Sequence, residues 1–206
     1  MIERQDQEFR AHLSKTDAKF YRLIAPHPPL PPFERRRPLD AMVRIVAGQQ
    51  LSVKAAQSVC QRLEQLCEGT IDALSLSKHP WEAIRACGLS AAKTDCVSAL
   101  VEFSGSDEKA LQELVLRDWE EVRNTLLAIK GIGPWSVDMF GMVGLRMPDL
   151  FASGDLGLRM AMVECLGVPA NAKPAALEAR ALKWSPYRTL ASRHLWLALD
   201  RKRQPR

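Results

Sequence analysis

The sequence predicts an all-α protein, and two observations support this prediction. Through most of the chain, apolar residues recur at every third or fourth position, and the runs are separated by glycine, proline and capping residues. No stretch of convincing length alternates apolar and polar residues as a half-buried β-strand would, and no internal repeat is present. The chain is therefore expected to fold as helices joined by short turns.

Six helices are predicted in the first half of the chain, each bounded by a turn or a capping residue. They cover residues 14–25, 39–48, 53–67, 79–88, 91–103 and 107–115. The proline-rich segment 26–32 cannot be helical and is predicted to be an extended connector. Residues 49–51 are predicted to form a turn, after which Ser52 caps the next helix.

The second half is organised around residues 126–159, where two helices flank a glycine turn. A capped helix is predicted over 118–129, and Gly131 and Gly133 then allow positive φ and leave the backbone uncovered. Pro134 suits the first turn of the second helix, because an N–H there would have no partner inside the helix. Three further helices are predicted over residues 156–166, 174–183 and 185–200.

The glycine turn between two helices has the features of an anion-binding site. The free N–H groups of the turn and the positive end of the second helix dipole face one point, where a phosphate fits. An ordinary αα-hairpin with a glycine cap explains the same residues equally well. The following Ser153-Gly154-Asp155 favours a functional site over an ordinary hairpin. An acid at a helix start beside a phosphate site is a poor choice for binding DNA, but its presence is explained if the acid carries out chemistry.

Composition sets broad limits on what the protein can be. The 206 residues suffice for one large domain or two small lobes, and the formal charge of +5 with a sequence pI of about 9.1 is compatible with a polyanionic partner. No apolar run is long enough for a membrane span, and the polar N-terminus lacks a signal-peptide core. We expect a protein of the cytoplasm and nucleoid, or of the nucleus, that is not secreted.

The cysteines are scattered along the chain rather than grouped. They are Cys60, Cys67, Cys87, Cys96 and Cys165. An odd number without an export signal indicates reduced thiols in the core. No set of His, Cys and Asp residues has the spacing of a zinc site.

Four segments carry a family resemblance. They are RIVAGQQLSVKAA at 44–56, LLAIKGIGPWSVDMF at 126–140, PDLFASGDLGLR at 148–159 and RHLW at 193–196. In this order they resemble the helix-hairpin-helix superfamily of DNA glycosylases, and within it 3-methyladenine DNA glycosylase II, the alkylpurine branch. The resemblance implies one domain over residues 1–206, with two helical lobes and an active-site cleft between them. One lobe would contain about 39–116, and the other the N-terminal helix with about 117–206.

The resemblance assigns catalysis to Asp155. When an N-glycosidic bond breaks, positive charge builds on the sugar, and a carboxylate near C1′ stabilises it and can orient or deprotonate a water. The alternative is that Asp155 only caps a helix. In bifunctional relatives a lysine nucleophile lies two positions after the second hairpin glycine, where this chain has Trp135. The resemblance therefore implies a monofunctional enzyme that leaves an abasic site.

The same resemblance assigns base binding to Trp135, Met139 and Trp196. Alkylation at N3 or N7 makes a purine cationic, and an indole face attracts a cation. Each tryptophan could equally be an ordinary core residue. Because a flipped base leaves a gap in the duplex, the resemblance assigns Gln50 as the wedge that fills it, with Gln49 bracing the turn. The alternative for Gln50 is a simple helix-cap residue.

The hairpin is expected to hold the DNA backbone on the 3′ side of the lesion, mainly through backbone N–H groups. The residues assigned to this contact are Lys130, Gly131, Gly133, Pro134 and Ser136, the serine through its hydroxyl.

A monovalent cation, Na⁺ or K⁺, is also implied by the resemblance. It would bind the backbone carbonyls of Leu127, Ile129 and Ile132 and bridge them to a phosphate. No other cofactor is expected. The iron–sulfur cluster of some relatives needs four cysteines near the C-terminus, and none follows Cys165.

Together these observations predict a monofunctional DNA glycosylase that acts as a monomer on double-stranded DNA containing alkylated bases. It would flip out and excise purines of the 3-methyladenine and 7-methylguanine type in base excision repair. Two alternatives remain: a glycosylase for another lesion, such as ethenoadenine, hypoxanthine or uracil, and a non-enzymatic helix-hairpin-helix DNA-binding module. The Gln-Gln turn, Asp155 and the RHLW segment argue against the module, which has no use for a lined pocket.

Overall fold

The computed structural model describes residues 2–31 and 33–203, and the regular structure in these ranges is entirely helical. In chain order the α-helices are α1 (Ile2–Thr16), α2 (Ala18–Ile24), α3 (Pro38–Gly48), α4 (Val53–Leu66), α5 (Ala73–Ser77), α6 (Trp81–Ala86), α7 (Ala91–Ser104), α8 (Lys109–Glu113), α9 (Trp119–Leu127), α10 (Pro134–Met139), α11 (Leu156–Leu166), α12 (Pro174–Ala181) and α13 (Arg188–Arg203). Short 3-10 or π segments follow α8, α10 and α12 at Leu114–Leu116, Phe140–Gly144 and Leu182–Trp184. The predicted all-α class is confirmed. No helix in the described ranges is long and apolar enough to span a bilayer.

Contacts between residues divide the chain into two compact units. Unit 1 contains Met1–Glu34 and Arg146–Arg206, and unit 2 contains Arg35–Leu145. From the sequence we expected residues 117–145 to lie with the N-terminal helix, but this division groups them with α3 to α8. The physical reason is that the π segment Phe140–Gly144 packs on α3 and that its buried Phe140 belongs to the core of unit 2.

The centre of unit 2 is α3, which packs against α4, α7 and the π segment. The apolar face predicted for this helix is fully buried. It consists of Leu39, Met42, Val43 and Val46. Burial of each such side chain contributes about 1.5–3 kcal/mol. Because Ser52 accepts the Ala55 N–H and thereby caps α4, the turn over residues 49–51 is held between two anchored helices.

In unit 1, a buried polar network joins α1 to α13. The imidazole Nε2 of His194 lies 2.7 Å from Asp6 Oδ1, and both side chains are almost fully buried. Arg10 donates to the other carboxylate oxygen of Asp6 and to the carbonyls of Ile24 and His27, at 2.8 and 2.9 Å. The ring of Phe9 stacks on the imidazole with centroids 5.7 Å apart. The network fixes the position of α13 along α1.

Electrostatics keep this histidine neutral. Burial lowers the pKa of His194 to about 4 and outweighs the opposing effect of its hydrogen bond to the Asp6 carboxylate. Burial alone would raise the pKa of Asp6, but hydrogen bonds from Arg10 and His194 outweigh it and lower that pKa below its usual value. Because Arg10 already balances the carboxylate charge, the imidazole needs only to donate one neutral hydrogen bond.

The N-terminal helix differs from the prediction of a single helix over 14–25. Helix α1 already begins at Ile2, because Asp6, Phe9 and Leu13 lie on one buried face of the helix. The rest of the segment is polar, so this short pattern was missed in the sequence. Asp17 then separates α1 from α2 by accepting the Phe20 N–H as an N-cap. Its second oxygen accepts the indole N–H of the buried Trp184 at 3.1 Å.

The buried histidine makes stability depend on pH in a definite direction. The unfolded chain binds a proton at His194 near its ordinary pKa of 6.5, whereas the folded chain resists protonation down to a pKa of about 4. Stability therefore decreases as the pH is lowered through this window. We expect the free energy of unfolding to drop by about 2 kcal/mol between about pH 7.5 and pH 5. Urea unfolding at both pH values measures the drop. The control is His194→Gln, which should lose most of this pH dependence; an equal drop in both proteins contradicts the assignment.

Candidate functional site

Asp155 opens α11 as its N-cap, and its carboxylate is held by two donors. The Leu158 N–H reaches Oδ1 at 2.8 Å, which is the cap, and the indole N–H of Trp196 reaches the same oxygen at 2.9 Å. The Asp155 N–H bonds the Ala152 carbonyl at 2.9 Å, so the main chain on the N-terminal side is fixed as well. The two readings of Asp155, as a cap and as a reacting carboxylate, are therefore compatible in one geometry.

A glycine allows this arrangement, and sequence reasoning did not single it out. A Cβ on Gly157 would lie 3.1 Å from Asp155 Oδ1 and 3.2 Å from Nε1 and Cδ1 of Trp196. These distances are tighter than ordinary van der Waals contact, so a side chain at position 157 would have to displace the indole or the carboxylate by a few tenths of an ångström. The sequence feature that could have identified Gly157 is its position two residues after Asp155 in the segment GDLG.

The loop that leads to Asp155 is anchored to the start of α13. Asp149 accepts hydrogen bonds from Arg188 Nε at 2.8 Å and from Ser185 Oγ at 2.7 Å. Thr189 Oγ1 donates to the Met147 carbonyl at 2.6 Å and accepts the Leu150 N–H at 3.1 Å. The Asp149 carboxylate thus joins the loop to the helix that carries Trp196.

Position 131 in unit 2 requires glycine for two reasons. Gly131 has a φ of +90°, and a Cβ there would lie 2.8 Å from the Cβ of Cys96 on α7. Gly133, by contrast, has extended φ and ψ, and no atom beyond its chain neighbours lies within 4 Å of its ideal Cβ position. Pro134 follows as the first residue of α10, as predicted. The turn therefore packs directly on α7.

The residues expected to hold the DNA backbone differ in exposure, and Gly133 among them is half-buried. Lys130, Gly131 and Pro134 are exposed, so their side chains or backbone groups can be reached from solvent. Ser136 is only 1% exposed, and its Oγ accepts the side-chain amide of Gln49 at 2.9 Å. The expected hydroxyl contact to a phosphate does not fit this buried position, because the hydroxyl binds the neighbouring turn instead.

Gln49 and Gln50 at the end of α3 have different environments. The Gln49 amide also donates to the Gly131 carbonyl at 3.2 Å, so this residue braces the turn as expected. Gln50 is exposed and lies in the left-handed region with a φ of +55°. Next to it, Leu51 and Val53 are 42% and 72% exposed. These apolar side chains beside the expected wedge were not singled out from the sequence.

The structure brings together some of the predicted site residues and leaves others in separate units. Asp155 and Trp196 belong to unit 1, where they are hydrogen-bonded. Trp135 and Met139 belong to unit 2 together with Gln50, and both are half-buried against its core. The sequence alternatives of core residue and pocket residue therefore both fit Trp135 and Met139.

The carbonyls assigned to a monovalent cation lie around the hairpin turn. The Ile129 carbonyl accepts the Ile132 N–H at 3.1 Å, which leaves its second lone pair for another partner. The turn is compatible with a cation in this respect, and the assignment to Leu127, Ile129 and Ile132 stays a prediction. Among residues 2–31 and 33–203, no group of three or more His, Cys, Asp or Glu side chains is arranged to hold a metal.

Known proteins resemble this chain over most of its length. The fold superposes with a TM-score of 0.81 on the 3-methyladenine DNA glycosylase of Schizosaccharomyces pombe in complex with abasic DNA. The two sequences are 26% identical, and the match covers 92% of this chain and 95% of that one. DNA-3-methyladenine glycosylase 1 of the same organism is 29% identical over 191 residues, which are 90% of this chain and 84% of the relative.

A second relative, from Mycobacterium tuberculosis, is named "Probable bifunctional transcriptional activator/DNA repair enzyme AlkA". It is 34% identical over 167 residues. The match takes in 77% of this chain but 33% of the relative, so the chain spans about a third of that protein's length. No family model matches the chain.

The helical fold with its glycine hairpin defines a helix-hairpin-helix protein. With these relatives, the chain belongs to the helix-hairpin-helix DNA glycosylases, in the family of 3-methyladenine DNA glycosylases. This family membership agrees with the four segments quoted from the sequence.

The contrast between the two hairpin glycines gives a direct test of the turn. Gly131→Ala forces a side chain into positive φ and against Cys96, so we expect a loss of about 1–3 kcal/mol in the free energy of unfolding. Gly133→Ala, where the space is open, should change stability by less than about 0.5 kcal/mol. Urea unfolding of both variants measures the difference, and equal losses would show that the turn is not built this way.

Proposed function

We propose that this chain is a monofunctional DNA glycosylase that excises alkylated purines, of the 3-methyladenine and 7-methylguanine type, from double-stranded DNA in base excision repair. The observation that carries the proposal is the carboxylate of Asp155, fixed by the Leu158 N–H and the Trp196 indole. A carboxylate used only as a cap would need the first of these donors and not the second. Membership of the glycosylase family supports the same conclusion.

The proposed reaction follows from the charge of the substrate. Alkylation leaves the purine ring positively charged, so the C1′–N bond breaks with its electron pair going to the base, which departs neutral. Positive charge then develops on the sugar, where the Asp155 carboxylate stabilises it. A water oxygen bonds to C1′ and gives its proton to the carboxylate, leaving an intact strand with an abasic site.

Trp196 has a different part in this proposal from that expected from the sequence. Its indole N–H binds one carboxylate oxygen and fixes the rotation of the Asp155 side chain, while Gly157 leaves room for the ring. We therefore assign Trp196 as a positioning residue that acts through Asp155. Trp135 and Met139 remain the proposed base-binding residues, with the indole face of Trp135 attracting a cationic purine.

DNA binding is proposed for the hairpin turn. The backbone N–H groups near Gly131 and Gly133, with the ammonium group of Lys130, can neutralise and position phosphates without reading sequence. The related S. pombe glycosylase was solved in complex with abasic DNA, which supports a DNA partner for this chain. Because the buried Ser136 holds Gln49, its hydroxyl is left out of this contact.

Strand cleavage is not part of the proposal. A lyase step needs an amine nucleophile to form a Schiff base with the sugar, and Trp135 occupies the position where bifunctional relatives carry lysine. Lys130 lies before the first hairpin glycine and is proposed to meet a phosphate instead. The product is therefore an abasic site, as in the reaction above.

The role of Asp155 is separated from capping by a matched pair of variants. Asp155→Asn retains a capping side chain, so we expect DNA binding to persist while the rate of base release falls about 10³-fold or more. Asp118 also caps a helix, α9, by accepting the Glu121 N–H at 3.0 Å, so Asp118→Asn should leave the rate nearly unchanged. Chromatography of bases released from methylated duplex DNA measures both rates. Full activity in Asp155→Asn would refute the assignment.

The positioning role of Trp196 is tested by keeping its ring and removing its N–H. Trp196→Phe should reduce single-turnover base release about 10- to 100-fold, because a hydrogen bond to a charged group is lost. DNA affinity should stay the same. The control is Trp81→Phe, which removes an indole N–H that binds the Asp95 carboxylate at 2.9 Å in unit 2 and should have no effect on rate. If Trp196→Phe reacts at the wild-type rate, the residue serves only as an aromatic surface.

A further inference from the structure

The turn at the end of α3 is held by a lysine that no part of the proposed mechanism uses. Lys93 lies on α7, and its Nζ donates to the carbonyls of Ala47 and Gln49, at 2.9 and 2.7 Å. Both carbonyls belong to the C-terminal end of α3, where the helix dipole favours a cation. The side chain is half-buried, and its burial lowers the pKa of Lys93 below the usual value for lysine. An ammonium group placed in this way is committed to the main chain of the turn.

The same turn is tied to the hairpin by a second contact. The amide of Gln49 donates to the Gly131 carbonyl at 3.2 Å and to Ser136 Oγ at 2.9 Å. Helix α7 contacts the hairpin too, because Cys96, one turn after Lys93, packs closely against Gly131. Three contacts within unit 2 therefore join the turn, the hairpin and α7 into one cluster.

The residue at the tip of the turn needs this support. Gln50 is exposed and has a φ of +55°, a conformation that is unfavourable for a residue with a Cβ. Strained residues persist where the surrounding structure fixes them, and such strain is concentrated at functional sites. Fixing the carbonyl of Gln49 also fixes the orientation of the peptide bond that leads into Gln50.

We propose that Lys93 is a positioning residue for the DNA-intercalating turn: through the carbonyls of Ala47 and Gln49 it holds Gln50 in the orientation needed to enter the duplex. Gln49 extends this support to the hairpin, so that the wedge and the phosphate-binding turn act as one preorganised element. The inference rests on the proposed function, since it takes Gln50 as the wedge.

The alternative role for a lysine near a DNA-binding surface is a direct phosphate contact, and salt dependence separates the two. A lysine that neutralises a phosphate weakens binding to every duplex and lowers the salt slope of affinity by about 0.9 when it is removed. A positioning lysine leaves that slope unchanged. Its loss reduces only the preference for DNA in which the wedge can insert.

The experiment compares Lys93→Met with Lys130→Met, using a duplex that carries a tetrahydrofuran abasic-site analogue and a matched undamaged duplex. For Lys93→Met we expect an unchanged salt slope, unchanged binding to undamaged DNA and a loss of about tenfold in preference for the abasic duplex. Lys130→Met should weaken binding to both duplexes and lower the slope. Gln49→Ala, which retains the lysine, should also lose preference for the abasic duplex, again with an unchanged salt slope because it removes no charge.

Coupling to the wedge is measured by adding Gln50→Ala. If Lys93 acts through Gln50, Lys93→Met should cause little further loss of preference in the Gln50→Ala background. Three results would each overturn the inference. They are additive losses of abasic-duplex preference in the double variant, a reduced salt slope in Lys93→Met, and a wild-type preference in both Lys93→Met and Gln49→Ala. The melting temperature of each variant identifies any loss that comes from unfolding, in which case Gln49→Ala decides the outcome.

These binding measurements need no base excision, so the two proposals can fail separately. Wild-type protein that prefers the abasic duplex but releases no alkylated base would refute the proposed reaction and leave the inference standing. Wild-type protein that releases bases, with a lysine variant that binds like wild type, would refute the inference alone.

Discussion

The hydrogen bonds on one oxygen of Asp155 are the constraint on which the proposed site in unit 1 depends. The Leu158 N–H fixes the carboxylate to α11, and the Trp196 indole fixes it to α13. Two further sets of contacts hold α13 in place. Asp149 joins the preceding loop to the start of α13, and the buried Asp6–His194 pair joins α13 to α1. The result is a carboxylate with a defined orientation, which electrostatic catalysis requires.

In unit 2, polar contacts hold the main-chain groups of two turns in place. The hairpin presents backbone N–H groups around two glycines, and the turn after α3 presents a strained glutamine. Neither turn has a large core of its own, so each is fixed by polar contacts from neighbouring elements. Lys93 and Gln49 supply these contacts, and α7 provides the common surface beneath them. In the proposed function, preorganisation of this kind would lower the cost of ordering the turns on DNA.

Much of the fold was predictable from the sequence because its signals are local. The periodicity of α3, the caps at Ser52 and Asp118 and the turn before Pro134 all depend on residues a few positions apart, and the structure contains each of them. The early start of α1 was missed because most of that helix is polar, and its few apolar residues become informative only when their partners in α13 are known.

The contacts around the proposed site could not be predicted from the sequence, and the roles of its residues stay proposals. Motifs identified Asp155 and Trp196 as important, but their hydrogen bond joins residues 41 positions apart, and no spacing rule predicts such a pair. The burial of Ser136 was missed for the same reason, because the Gln49 amide that occupies its hydroxyl comes from a distant helix. Long-range side-chain contacts of this kind follow from packing and not from local pattern.

The measurement that tests the central claim most directly is the product analysis of wild-type protein with methylated double-stranded DNA. Released bases are identified by chromatography, and the strand is examined on a denaturing gel before and after alkali. The account predicts free 3-methyladenine or 7-methylguanine, with a strand that stays intact until alkali cleaves it at the abasic site. Strand breaks without alkali, or no released base from any alkylated duplex, would contradict it.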